Sequence, residues 1–220
     1  MKKILIFGTG TFAELVYYYL NNDHRYEVVG FTKNKDAINE STFFDLPVYP
    51  FENLKKQFSP EDYSMFIAIG YVNQNKTRTK IYEQAKGMGY ELISYISPKA
   101  TTYENLIIGD NCFVFENNVI QPFVKIGNNV ILWSGNHVGH HSTIDDHCFV
   151  SSHVVISGHV RVESFCFLGV NSTIRDGVII KKNCIVGANS LILKDTLPNS
   201  VYTSDSGKLM KYLPDDITQI

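Results

Sequence analysis

Two pieces of architecture are legible in this chain of 220 residues: a small parallel α/β sheet of Rossmann type, followed by a parallel β-helix. Three observations predict it. Short apolar runs alternate with helical patterns as far as Tyr95. A glycine turn, Gly8-Thr9-Gly10, joins the first apolar run to the first helical pattern. From Ile96 onward the rhythm changes to a strict period of six.

The elements follow in order. Ile4–Phe7 reads as a buried strand, and Phe12, Leu15, Val16, Tyr19 and Leu20 form one face of a helix after the glycine turn. Tyr26–Phe31 is a second strand. Pro47 and Pro50 mark a loop before a short helix around Phe51–Phe58. Tyr63–Ile69 is a strand ending at Gly70, Asn75–Lys86 an amphipathic helix stopped by Gly87 and Gly89, and Tyr90–Ile96 a last strand. Tyr17, Tyr18 and Tyr19 read as helix packing.

Stepping by six from Ile108 through Val114, Ile120 and onward to Ile192 meets an aliphatic residue every time. Each hexad is one short strand and a turn, and three hexads close a triangular coil of 18 residues. A single unit cannot bury its aliphatic side chain; stacked coils bury it in a column. Residues 18 apart then lie one above another at roughly the 4.8 Å strand spacing. The expected division is 1–95 for the sheet domain, 96–199 for the β-helix and 200–220 for a tail.

Composition excludes several classes. The chain is 44% hydrophobic and 19% charged, which is globular. A net charge of −2 offers no basic surface for nucleic acid. No run approaches the ~18 apolar residues of a membrane span. Met1-Lys2-Lys3 leads into an apolar stretch too short for a signal peptide, so a cytoplasmic protein is expected.

The 18-residue arithmetic also places the polar residues. Cys112, Cys148, Cys166 and Cys184 fall on one inward line and read as reduced, buried small hydrophobes rather than metal ligands. Six of seven histidines crowd into 137–159. His141, His147 and His153 are six apart and project from different sides, and His141 stacks only on His159, so no metal is expected. His140 is followed 18 residues later by Gly158. An imidazole beside a bare backbone N–H suits acyl transfer: the base takes a proton from the nucleophile and the N–H holds the oxyanion. Gly169 and Gly187, also 18 apart, would leave a bare strip for an extended ligand. The competing reading is that these glycines only shape turns.

The whole chain resembles the bacterial sugar acyltransferases of the sialic acid O-acetyltransferase and nucleotide-amino-sugar N-acetyltransferase (NeuD/PglD-like) family. The resemblance rests on Ile6-Phe7-Gly8-Thr9-Gly10, Phe66-Ile67-Ala68-Ile69-Gly70, Ile96-Ser97-Pro98-Lys99-Ala100 and Val138-Gly139-His140. It implies a left-handed β-helix, a homotrimer with active sites between adjacent β-helices, and acetyl-CoA as donor. It implies His140 as catalytic base, with His141 beside it where the family carries Asp or Glu, and Gly158 as the thioester-binding amide. Gly158, Gly169, Gly187, Ala188 and Lys208 would line the CoA site. Gly8, Thr9, Gly10 and Gly70 would hold the nucleotide sugar, with Trp133 at the sugar pocket. The acid near His140 would be Asp145 or Asp146. The family's acid at the end of the second strand is replaced by Thr32-Lys33, which also argues against an NAD-dependent oxidoreductase. The expected activity is N-acetylation of a nucleotide-linked 4-amino-4,6-dideoxy sugar for O-antigen, lipopolysaccharide or other surface glycan. Sugar or sialic acid O-acetylation is the alternative, and a non-catalytic trimeric scaffold the alternative of another class.

Overall fold

The computed structural model describes residues 1–206. The N-terminal sheet contains β1 (Lys2–Phe7), β2 (Tyr26–Lys33), β3 (Thr42–Phe43), β4 (Leu46–Pro50), β5 (Tyr63–Ile67) and β6 (Glu91–Leu92), in the order β3-β4-β2-β1-β5-β6. All pairings are parallel except the β3–β4 hairpin. Ile4, Leu5, Ile6 and Phe7 of central β1 are buried on both faces, as a parallel sheet covered on both sides requires. Helix α1 (Thr11–Asn21) turns Ala13, Val16 and Leu20 inward against one face. Helix α2 (Lys76–Gly87) turns Ile81, Tyr82 and Ala85 against the other.

Three sequence expectations change. The segment around Pro47 is the β3–β4 hairpin rather than loop, turned by Phe44 and Asp45 with positive φ. The expected last strand, Tyr90–Ile96, splits: Glu91–Leu92 closes the first sheet, and Tyr95–Ile96 opens the next. The helix expected at Phe51–Phe58 is a 3₁₀ segment, Phe51–Lys56.

The second domain is a left-handed β-helix. Its chain visits three faces in turn. The interdomain face stacks seven strands, from Tyr95–Ile96 through Phe113–Val114, Ile131–Leu132, Phe149–Val150, Phe167–Leu168 and Ile185–Val186 to Val201–Tyr202. The second face holds Val119–Ile120, His137–Val138, Val155–Ile156, Thr173–Ile174 and Leu191–Ile192. The third face holds Ile107–Ile108, Lys125–Ile126, Thr143–Ile144, Arg161–Val162 and Ile179–Ile180. Every pairing joins residues 18 apart except the last, at the C-terminal end, where Ile185 pairs with Val201. Inside runs the aliphatic column: Val138, Ile144, Val150 and Ile156 are wholly buried, each burial stabilising by roughly 1.5–3 kcal/mol. The four cysteines lie free and buried in the same column.

The sheet domain packs on the interdomain face. Phe113, Phe115, Ile131 and Phe149 form one core with Ile4, Ile6, α1 and Phe66. A polar bolt crosses the seam. Arg78 of α2 is fully buried and donates to Asn129 Oδ1 (2.9 Å), Asn129 O (2.9 Å) and the Ile69 and Gly70 carbonyls (both 3.2 Å). Burial drives its pKa down to about 10. Asn129 in turn donates to His147 Nδ1 (3.0 Å), and burial lowers the His147 pKa.

Candidate active site

The corners of the β-helix explain the histidines. Three residues beyond each inward aliphatic, the backbone takes positive φ: Asn111, Asn117, Phe123, Asn129, then His141, His147, His153, His159, Phe165 and Asn171, with Gly135 and Gly177 in the same series. Asn and His are among the few side chains tolerated there. Four of the clustered histidines are therefore turn residues.

His140 is not one of them. It lies in the corner between the second and third faces, exposed, and its N–H donates to Gln121 Oε1 (2.9 Å). Gly158 lies one coil along. A methyl built on Gly158 would meet only side-chain ends: His140 Cε1 at 2.9 Å, His140 Nε2 at 3.0 Å and Asp176 Oδ1 at 2.9 Å. No acceptor among the described residues takes the Gly158 N–H. The imidazole edge and a carboxylate oxygen thus lie directly against Gly158, whose lack of a side chain lets them approach. The other repeat glycines differ. A methyl on Gly139 would lie 2.5 Å from Gly158 N, and one on Gly169 2.6 Å from Ala188 N. These glycines exist because the next coil's backbone is too close for a Cβ.

The packing gives these repeat glycines a structural reason of their own. A methyl on Gly169 or Gly187 would meet atoms of the following coil or segment. Both glycines and Ala188 also lie at the corner between the interdomain and second faces, away from the His140 corner. Lys208 falls outside the described residues.

The expected acids near the base are engaged elsewhere. Asp145 pairs with Arg161 (2.9 Å), and Asp146 accepts the Asn128 N–H (2.6 Å). The neighbour of His140 is His141, Nδ1 to Nδ1 at 3.1 Å. One imidazole must donate in that contact and the other accept. His141 is held between Phe123 (centroids 4.7 Å) and His159 (5.0 Å, stacked at 14°). The carboxylate at this corner is Asp176, which the sequence reading missed although it lies two coils from His140 in the same column.

A second constellation forms at the carboxyl ends of the N-terminal strands. Gly8 has φ +117, and a methyl there would stand 2.9 Å from the Ala68 carbonyl, so only glycine fits. Thr9, Gly10, Lys33, Asn39, Glu40 and Phe43 surround a pocket of about 450 Å³. Glu40 supplies the acid missing from the end of β2. It accepts from Thr9 Oγ1 and pairs with Lys33 (3.2 Å), and chiefly the Thr9 hydrogen bond lowers its pKa. Gly70 stands nearby in the chain turn after β5, its carbonyl held by Arg78. Trp133 stacks on Phe115 (4.6 Å, 5°) and packs near Phe12 of α1. It belongs to the aromatic seam between the two domains. Within one chain the strand-end pocket is lined by sheet-domain residues alone, whereas His140 projects from the corner opposite the interdomain face; the two groups of residues do not meet.

The comparisons with known proteins agree with this architecture. Residues 92–201, half of the chain, match the family model described as GMPPB C-terminal domain. Residues 3–85 match the PglD N-terminal domain. Among solved structures, PerB from Caulobacter crescentus, in complex with CoA and GDP-perosamine, is 26% identical over 93% of this chain and 95% of its own, with a TM-score of 0.81. The acetyltransferase domain of PglB from Neisseria gonorrhoeae FA1090 shares the fold at 23% identity, covering 96% of this chain and 100% of its own, with a TM-score of 0.82. WeeI from Acinetobacter baumannii AYE shares it at 18% identity over 90% of this chain and 94% of its own, with a TM-score of 0.70. No curated protein sequence matches the chain. Among the described residues, no helix is long and apolar enough to cross a membrane.

Proposed function

This chain belongs by its β-helix to the GMPPB C-terminal-domain family and, with its N-terminal sheet, to the PglD-like sugar acyltransferases; from that premise we propose that it acetylates the amino group of a nucleotide-linked 4-amino-4,6-dideoxy sugar, using acetyl-CoA. The observation that carries the chemistry is the His140 imidazole lying against Gly158, whose N–H has no acceptor among the described residues. PerB, crystallised with CoA and GDP-perosamine, supports an amino-sugar nucleotide as the class of acceptor.

The steps follow from those groups. The sugar amine approaches the thioester carbon beside His140. As the N–C bond forms, the neutral imidazole takes a proton from the nitrogen, and the carbonyl oxygen becomes an oxyanion held by the Gly158 N–H. Collapse expels CoA thiolate, which takes the proton back from the imidazolium. The products are the acetamido sugar and CoA. Much of the rate comes from positioning, since an unprotonated amine is already a good nucleophile.

Two protomers complete such a site. The nucleotide pocket at Thr9, Gly10, Lys33 and Glu40 lies on the sheet domain, and His140 stands at the β-helix corner away from that domain in the same chain. A homotrimer in which one chain's pocket meets its neighbour's His140 corner reconciles the two. Val119, Val155 and Leu191 project exposed from the second face, the apolar surface that a neighbouring copy would cover. The work would be cytoplasmic, supplying a surface polysaccharide.

The test is CoA release from acetyl-CoA with UDP-, dTDP- and GDP-linked 4-amino sugars, against neutral-sugar and sialic acid controls. One amino sugar nucleotide should support turnover and the hydroxyl acceptors should not. His140→Ala should keep the assembly and lower kcat by about 10²–10⁴-fold. Full turnover in that variant refutes the base; CoA release only with hydroxyl acceptors refutes N-acetylation.

A further inference from the structure

The corner that carries the base holds a second arrangement. His141 and His159 stack one coil apart, centroids 5.0 Å and planes 14° from parallel. His140 stands edge-on to both, at 5.3 Å from His141 and 5.0 Å from His159. One ring nitrogen from each of the three lies within 4.8 Å of the other two, and all three side chains are exposed. The His140 and His141 Nδ1 atoms are 3.1 Å apart. Two nitrogens bound to one tetrahedral zinc at ~2.0–2.1 Å are about 3.3 Å from each other, so this pair already has ligand spacing. The backbones of His141 and His159 are fixed as left-handed corners, at φ 58 and 57. Bringing the third nitrogen in therefore takes a rotation of the exposed His159 ring, not a movement of the coil. Asp176, across Gly158 from His140, adds a negative charge beside the cluster.

We propose that His140, His141 and His159 form a three-imidazole site for a borderline divalent cation, zinc foremost, and that its occupation switches acetyl transfer off. The ion is a competitor for the base, not a cofactor of the reaction. A neutral imidazole has one N–H and one lone pair. A cation on either nitrogen of His140 takes that lone pair and leaves the proton on the other nitrogen. Nothing then remains to accept the proton of the attacking amine. Imidazole donors suit zinc, nickel, copper and cobalt and disfavour magnesium and calcium, so the selectivity follows from the donor set. The switch rests on the reading of His140 as base; the binding does not.

Metal-stripped protein is titrated with Zn²⁺ by calorimetry and with Co²⁺ by visible absorption. One ion per chain is expected, with the intense d–d bands of tetrahedral Co²⁺. His159→Asn is the discriminating variant, because asparagine occupies the equivalent corners at Asn111, Asn117 and Asn129 with the same backbone. It should weaken Zn²⁺ binding by about tenfold or more while leaving metal-free acetyl transfer unchanged. Zinc should abolish turnover of the unmodified protein, and EDTA should restore it. No binding, or binding as tight in His159→Asn as in the parent, overturns the site. Zinc bound at these histidines with turnover unimpaired overturns the switch. Absence of acetyl transfer in the metal-free parent instead refutes the catalytic reading, and the calorimetric arm still decides the site.

Discussion

Gly139 and Gly158 are both repeat glycines, nineteen residues apart in sequence, and a single methyl should affect them in opposite ways. At Gly158 the backbone is one that any residue adopts, and the added Cβ meets His140 Cε1, His140 Nε2 and Asp176 Oδ1 at 2.9–3.0 Å. Those atoms are the ends of exposed side chains, which swing aside. Gly158→Ala should therefore fold with stability within about 0.5 kcal/mol of the parent. The methyl nevertheless takes the place of the His140 imidazole edge beside Gly158. Displacing the imidazole by a fraction of an ångström to an ångström, and blocking the approach to the N–H, should cost roughly 10²–10³ in kcat/KM. At Gly139 the methyl meets Gly158 N and Ser157 C, both at 2.5 Å. Backbone of the next coil cannot swing, so overpacking should cost about 1–3 kcal/mol, which lowers Tm by roughly 2–4 °C per kcal/mol in a chain of this size. Thermal melts and CoA release on the two variants, side by side, read both numbers. Wild-type turnover in Gly158→Ala refutes the His140–Gly158 corner as the reaction site. Equal melting of the two variants refutes the coil register from which the whole site is built.

Three further outcomes follow from the seam and the core. Arg78→Met leaves Asn129 Oδ1 and the carbonyls of Asn129, Ile69 and Gly70 without their donor; against the relief of removing a buried cation, a net loss of about 2–4 kcal/mol is expected in urea denaturation, and an unchanged midpoint sinks the bolt. The His147 Nδ1 must stay unprotonated to accept from Asn129, and burial lowers its pKa, so above the unfolded value near 6.5 stability is complete. As pH falls below that value the unfolded chain binds a proton that the folded chain resists, and stability declines; His147→Asn should flatten this part of the Tm–pH curve, and an unaltered curve refutes the assignment. Burial pushes the Cys112 thiol up to about 12 and raises Cys148 well above the ordinary range, so both should resist alkylation at pH 8 in the folded protein and react once it is unfolded in denaturant.

The period of six was legible because each short strand points one aliphatic side chain inward, and nothing else competes for that position. The corner series was present in the same sequence and was harder to see. Its asparagines and glycines announce left-handed backbone, but Phe123 and Phe165 do not. Both have positive φ, unfavourable for a bulky residue, and both pack on a histidine: Phe123 on His141 at 4.7 Å and Phe165 on His147 at 4.8 Å. Stacking along the column offsets local preference, which a residue-by-residue propensity does not register. The hairpin after β2 and the split of the last strand were hidden for a related reason. Tyr90–Ile96 is continuously extended in its side-chain pattern, and only the partner on each side shows that it serves two sheets.

The site divides along the same line. Columns of one coil are arithmetic, so His140, Gly158 and Asp176 could be aligned from spacings of 18 alone, as could His141 and His159. Contacts between the domains are not arithmetic. Arg78 lies in a helix whose sequence reads as amphipathic with a charged outer face, yet it is wholly buried, because Asn129 and two carbonyls from the turn after β5 converge on it. The guanidinium thus fixes, in one set of bonds, both the angle of the N-terminal sheet on the β-helix and the backbone at Ile69 and Gly70. In the proposed transfer between two chains, with the sugar on one protomer and the base on its neighbour, that angle would set whether the amine reaches the thioester. On that proposal a rigid polar seam is a requirement of the chemistry as much as of the fold, and no spacing in the sequence discloses it.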